Sequence, residues 1–250
     1  MEEYKKYLIV GGMPEVVKDF INHHDYSNIK KIQSSIINAY IADMQKYADT
    51  SDTPKLVDIW NSIPQQLSKD NRKFQYSVIK KHGRSKEYQF PIHWLSMAGI
   101  VNRVEKVKVG RIPLISYKDD KSFKLYLLDV GLYGRLLNIP VEKILVDENI
   151  LGTQKGPVAE TYVLQSLVAN QHQIFYWQPN QYTELDFVIQ NKDGDVLGLE
   201  VKSGKGTSYN SLKKFQEEYD AIGIRISNKN FGKVENLITI PLYSVFCLGN

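Results

Sequence analysis

The hydrophobic period of this chain changes at Gly99. Before it, apolar residues recur every three or four positions; after it they alternate, so a helical part must give way to a strand-rich one. From about Ser27 to Trp94 the reading is helical. Ile29, Ile32, Ile36, Ile37, Tyr40, Ile41 and Met44 mark one face of an amphipathic helix. Thr53-Pro54 opens a second, with Leu56, Ile59, Trp60 and Ile63 on its buried side, because proline suits a first helical turn. A third helix runs near Tyr76 to Lys81, and a fourth holds Ile92, Leu95 and Met97 and ends at Gly99. Ile100 to Val109 and Pro113 to Tyr117 then read as strands, Asp119-Asp120-Lys121-Ser122 as a turn, and Lys124 to Asp129 as a third strand closed by a short helix, Gly131–Leu137. Helices followed by a small hairpin match a winged helix.

The rest of the chain follows another order. Pro157 starts a helix reaching about Gln171, and strands follow at Ile174–Trp177, Thr183–Gln190 and Val196–Lys202. A helix over Ser211–Tyr219 separates these from strands at Ala221–Ile226 and Leu237–Phe246. Helix, three strands, helix and two strands make an αβ unit with a mixed central sheet. The expected fold is thus mixed α/β, of the α+β kind. Residues 1–26 read as an N-terminal linker segment, 27–138 as a winged-helix-like domain, 139–155 as a linker and 156–250 as the αβ domain.

Composition removes several classes of function. The single cysteine, Cys247, excludes an internal disulfide and a cysteine-based zinc site, and it points to the cytoplasm. No apolar run approaches the roughly 18 residues of a membrane helix, so no membrane partner is expected. The apolar run that ends at Gly11-Gly12 is too short for a secretory signal. A net charge of +4 tolerates DNA as a partner without requiring it.

The residues that carry chemistry sit where charge is costly. In Gly198-Leu199-Glu200-Val201-Lys202, alternation puts Glu200 and Lys202 on one face of an apolar strand. The preceding strand holds Asp186 between Leu185 and Phe187. Carboxylates on neighbouring strands can hold a divalent cation through oxygen, with Mg²⁺ or Mn²⁺ favoured over zinc. The Lys202 ammonium can then orient water or stabilise a phosphate. Glu160 shares its helix face with Leu164 and Leu167, the side expected to pack on the sheet. The same four residues also suit a structural ion-pair network.

Asp186 followed by Glu200-Val201-Lys202 resembles the signature of the PD-(D/E)xK restriction-endonuclease-like superfamily. Tyr176-Trp177-Gln178, Glu184 to Ile189 and Gly198 to Gly204 narrow the resemblance to the C-terminal region of a prokaryotic AAA-type ATPase family. Gly11-Gly12-Met13-Pro14-Glu15, Asp129-Val130-Gly131-Leu132 and Gly156 to Glu160 fit the same family, so the resemblance covers nearly the whole chain. It implies a winged helix followed by a restriction-endonuclease-like domain. In that domain Asp186 and Glu200 would be metal ligands, Lys202 the catalytic lysine and Glu160 the helix acid. The chain departs from the family in lacking any Gly-x-x-x-x-Gly-Lys-Ser/Thr loop, so no nucleotide is expected and an ATPase module would act as a partner, in cis or in trans. The chain is then expected to be a fragment or a truncated gene product. Leu185 stands where the strict superfamily motif has proline.

Lys80-Lys81-His82-Gly83-Arg84-Ser85-Lys86 adds a basic run in which Lys80, Lys81 and Arg84 are candidate phosphate contacts, or else a solvated helix end. Three functions follow: a metal-dependent nuclease acting on DNA, a non-catalytic DNA- or partner-binding module descended from one, and a structural element of an oligomer.

Overall fold

In the computed structural model, which describes residues 2–140, 144, 148–204 and 209–248, helix gives way to strand at Gly99 as the period change predicts. The chain forms two compact units. One comprises Glu2–Arg103 and Lys124–Gln154; the other comprises Val104–Phe123 and the chain from Lys155 onward.

The first unit is helical: α1 (Glu2–Val10), α2 (Pro14–His23), α3 (Tyr26–Tyr47), α4 (Thr53–Leu67), α5 (Tyr76–Ile79), α6 (Ser85–Met97) and α7 (Val130–Leu136). Asp25 starts α3 by accepting a hydrogen bond from the Ser27 amide at 2.8 Å. Ile29, Ile37 and Met44 are buried on its predicted face. In α4 the predicted Leu56, Ile59, Trp60 and Ile63 are all buried. Gly99, at φ +70°, ends α6 in the left-handed conformation that lets the Ile100 amide reach back to the Leu95 carbonyl.

Residues 1–26, expected as a linker, instead contain α1 and α2, with Tyr4, Leu8, Ile9, Val10 and Val16 buried. Their apolar run spans too few turns to register as a period. Two of the family-like motifs interlock here. The Asp129 carboxylate accepts from Leu132 N at 2.9 Å, capping α7, and from Gly12 N at 2.7 Å. A side chain on Gly11 would overlap that carboxylate, and one on Gly131 would lie 2.7 Å from the Val10 carbonyl oxygen.

The strands are β1 (Val101–Val107), β2 (Lys118–Leu127), β3 (Ile174–Asn180), β4 (Thr183–Gln190), β5 (Val196–Lys202), β6 (Ile222–Ser227), β7 (Gly232–Val234) and β8 (Leu237–Pro241). They form one mixed eight-stranded sheet in the order β2-β1-β3-β4-β5-β6-β8-β7. Helices α8 (Lys155–Ala169) and α9 (Asn210–Tyr219) belong to the same unit as β3 to β8.

Three expectations are corrected. Leu114–Tyr117 is a 3₁₀ turn, and the supposed turn Asp119–Ser122 lies inside β2. Cross-strand pairs of Lys106 with Asp119 at 3.1 Å and of Lys118 with Glu105 at 3.2 Å hold these charges in extended chain. An edge strand tolerates such residues because its outer side faces water. The last strand stops at Pro241, and a 3₁₀ turn, Leu242–Cys247, follows it.

The αβ unit resumes at Lys155, beside the expected start at residue 156, but it also takes in one segment expected in the winged-helix-like domain. Residues 104–123 belong to the sheet unit, where β1 pairs in parallel with β3, Glu105 opposite Phe175 and Val107 opposite Trp177. Val107 and Leu114 enter one core with Phe175, Trp177, Leu185 and Phe215. No helix among the described residues is long and apolar enough to cross a membrane.

Candidate active site

Strand β5 pairs antiparallel with β4, Phe187 opposite Leu199 and Val188 opposite Gly198. One step further along this register brings Asp186 beside Glu200. The path of β4 is uneven at this point. From Phe175 to Trp177 the β3 partner advances two residues, while β4 advances three, from Val188 to Leu185. The extra residue is a bulge at Asp186–Phe187, which lets Leu185 and Val188 enter the same core while Asp186 stays out of it. Bulges of this kind re-aim side chains next to functional sites.

The Asp186 Oδ2 accepts from the Val201 amide at 2.7 Å, which ties the carboxylate to the strand that carries its neighbours. Glu200 is 7% exposed, and its Oε1 meets the Lys202 ammonium at 2.6 Å. Its Oε2 is buried and has no hydrogen-bond partner among the described residues. Burial pushes the Glu200 carboxyl up to about 7, and the Asp186 charge pushes it the same way. Lys202 opposes both by attraction and by its hydrogen bond, and Glu184 adds a smaller upward push. Burial and the neighbouring Asp186 thus disfavour the ionised Glu200, and its Oε2 lacks a donor among the described residues, an arrangement that a cation would relieve.

Asp186, Glu200 and Lys202 are therefore together. Glu160 is buried in α8, at 2% exposure, but among the described residues no three His, Cys, Asp or Glu side chains converge as a set able to hold a metal. The helix that carries Glu160 packs on β5, the strand of Glu200 and Lys202. Two carboxylates and an orphaned oxygen still fit a hard cation such as Mg²⁺, which commonly takes one or two carboxylates and keeps several waters.

Lys80, Lys81 and Arg84 lie in the exposed turn between α5 and α6 and form no ion pair among the described residues. Lys80 is the C-cap of α5, the helix end that favours cations, and Arg84 is the N-cap of α6, the end that does not.

The sequence reading passed over Arg225. It sits mid-strand in β6, opposite Glu200 in the parallel register. Its signal was of the same kind as that of Glu200, a charge within the apolar run Ile222-Gly223-Ile224-Arg225-Ile226. It lacked only a recognised spacing.

A chain with a helical unit, a mixed sheet and this acid pair can be set beside known proteins. Residues 1–143 match the family model described as "Domain of unknown function (DUF8612)", and the chain belongs to that family. Residues 155–244 match a second model, "Domain of unknown function (DUF4143)". No curated protein matches the chain. Among solved structures it is similar to a half-complex of Thermococcus gammatolerans McrB AAA+ hexamers with bound McrC, at 9% identity over 74% of this chain and 70% of that one. The TM-score of 0.26 is too low for that likeness to carry an argument.

Proposed function

We propose that the sheet unit carries a metal-dependent phosphodiesterase centre acting on DNA, in a restriction-endonuclease-like domain. The observation behind this is the Glu200 carboxylate, buried within reach of the Asp186 charge, with one oxygen on Lys202 and the other without a partner among the described residues. A structural ion pair would normally satisfy both oxygens, since an unmet buried acceptor costs about 1–3 kcal/mol. In this reading Asp186 and Glu200 hold Mg²⁺ or Mn²⁺, which would supply charge neutralisation at a phosphate and a more acidic water. Lys202 leaves Glu200 for the developing charge on the scissile phosphate. Glu160, buried on α8, would be the helix acid that assists this pair, on the metal itself or behind one of its ligands.

The test is calorimetry with Mn²⁺ beside plasmid nicking, on wild type, Asp186→Ala and Lys202→Ala. Asp186→Ala is expected to lose both metal binding and nicking, and Lys202→Ala to keep metal binding and lose nicking. Wild type that neither binds Mn²⁺ nor nicks DNA sinks the enzyme reading.

A second reading is a DNA- or partner-binding module descended from a nuclease. The exposed, unpaired Lys80, Lys81 and Arg84 favour it, because three like charges gathered in one exposed turn suit an anionic partner. The two readings are compatible if the helical unit binds DNA and the sheet unit cuts it. An ATPase module in cis or in trans would supply DNA movement. Binding of Mn²⁺ without nicking would point to a site loaded by that module.

A further inference from the structure

Register places a line of polar residues across the sheet: Glu200 on β5 opposite Arg225 on β6, and Arg225 opposite Thr239 on β8. Register partners on parallel strands project to the same face, and neighbouring strands are about 4.8 Å apart. On that face Gly198 and Gly223 leave room for α9: a side chain on Gly198 would come within 2.7 Å of Phe215, and one on Gly223 within 2.5 Å of Gln216. Further along the two strands, beyond these glycines, come Glu200 and Arg225.

Arg225 is held firmly but left incompletely used. One terminal nitrogen donates to the Thr239 hydroxyl at 2.9 Å. The guanidinium carbon lies 5.4 Å from the ring centre of Tyr209, within range of a cation–π contact. Its Nε is buried and meets no acceptor, and it forms no ion pair among the described residues. A half-buried guanidinium without a carboxylate is costly, whereas a fixed planar fork suits an incoming phosphate.

We propose that Arg225 receives a backbone phosphate of the substrate strand, one strand away from Glu200 and Lys202, with Thr239 and Tyr209 as the residues that position it. This rests on the phosphodiesterase reading for its substrate class, but not for its test. A free phosphate would offer the same chemistry, so the experiment separates the two sources.

The protein would carry glutamates at Lys80, Lys81 and Arg84 so that the helical unit does not contribute. Binding of a fluorescein-labelled DNA oligonucleotide is followed by anisotropy in EDTA, with Arg225→Met, Arg225→Lys and Thr239→Val, and thermal unfolding tracks folding. Arg225→Met is expected to weaken binding about tenfold, the loss of one charge-assisted contact. Arg225→Lys should recover only part of this, because lysine lacks the fork and the stacking plane. Thr239→Val should weaken binding less than Arg225→Met while leaving its salt dependence intact. Equal binding by a folded Arg225→Met protein overturns the proposal, as does wild type that binds no oligonucleotide. Arg225-dependent stabilisation by inorganic phosphate, with oligonucleotide binding unchanged, assigns the site to free phosphate and also overturns it. If Arg225 governs oligonucleotide affinity in a protein that neither binds Mn²⁺ nor nicks DNA, this inference stands and the phosphodiesterase reading falls.

Discussion

Glu200→Gln should stabilise the metal-free protein, and only at neutral to alkaline pH. The carboxyl rises from 4.5 to about 7 in the fold, chiefly because it is buried. Between those values the unfolded chain releases a proton that the folded chain keeps, so folding stability falls as pH rises. The loss begins above the unfolded value and is complete above the folded one. At about 1.4 kcal/mol per pH unit it amounts to about 3 kcal/mol. Glutamine has nearly the shape of the neutral acid and never ionises, so it avoids that loss. Urea unfolding in EDTA at about pH 4 and about pH 9 would measure both proteins, with equal slopes ensuring a like comparison. Wild type is expected to lose about 3 kcal/mol between the two conditions through this group, and Glu200→Gln to lose correspondingly less. The same difference between variant and wild type at both pH values would refute the reasoning. It would mean that Glu200 ionises in the fold as easily as in water, and that its orphaned oxygen is solvated.

Gly11→Ala should cost about 2–4 kcal/mol, from a left-handed backbone and an overlap with the Asp129 carboxylate, measured by urea unfolding; a cost below half of that would show that α1 and α7 can separate freely. A chain begun at Lys155 should not unfold cooperatively, because it lacks β1 on the edge of β3 and loses Val107 and Leu114 from the Trp177–Phe215 core. Those two side chains represent about 3–6 kcal/mol of burial, against a total of about 5–15 kcal/mol for a typical domain. A monomer with a sharp urea transition would contradict this, and restoring residues 104–123 should restore the fold. Glutamate at Lys80, Lys81 and Arg84 together should weaken DNA binding and lower the slope of log affinity against log salt by about 3, since each phosphate contact contributes about 0.9; an unchanged slope would make the patch a solvated turn.

The sequence by itself determined which segments become helix or strand wherever a period runs long enough. The α3 and α4 faces and the end of α6 at Gly99 were legible for that reason. It also marked Asp186, Glu200 and Lys202, because a charge inside an apolar strand is conspicuous against the cost of burying it. Short or charged segments were not legible. The apolar residues of α1 span too few turns, and the Asp119–Ser122 stretch became strand only because Lys106 and Lys118 pair with acids across the hairpin. The bulge at Asp186, the pairing of Glu200 with Arg225 and the division of the hairpin between two units arise from register. Register is set by partners distant in sequence. An alternating pattern fixes which face a residue takes but not which strand lies beside it, so only the tertiary structure could decide these.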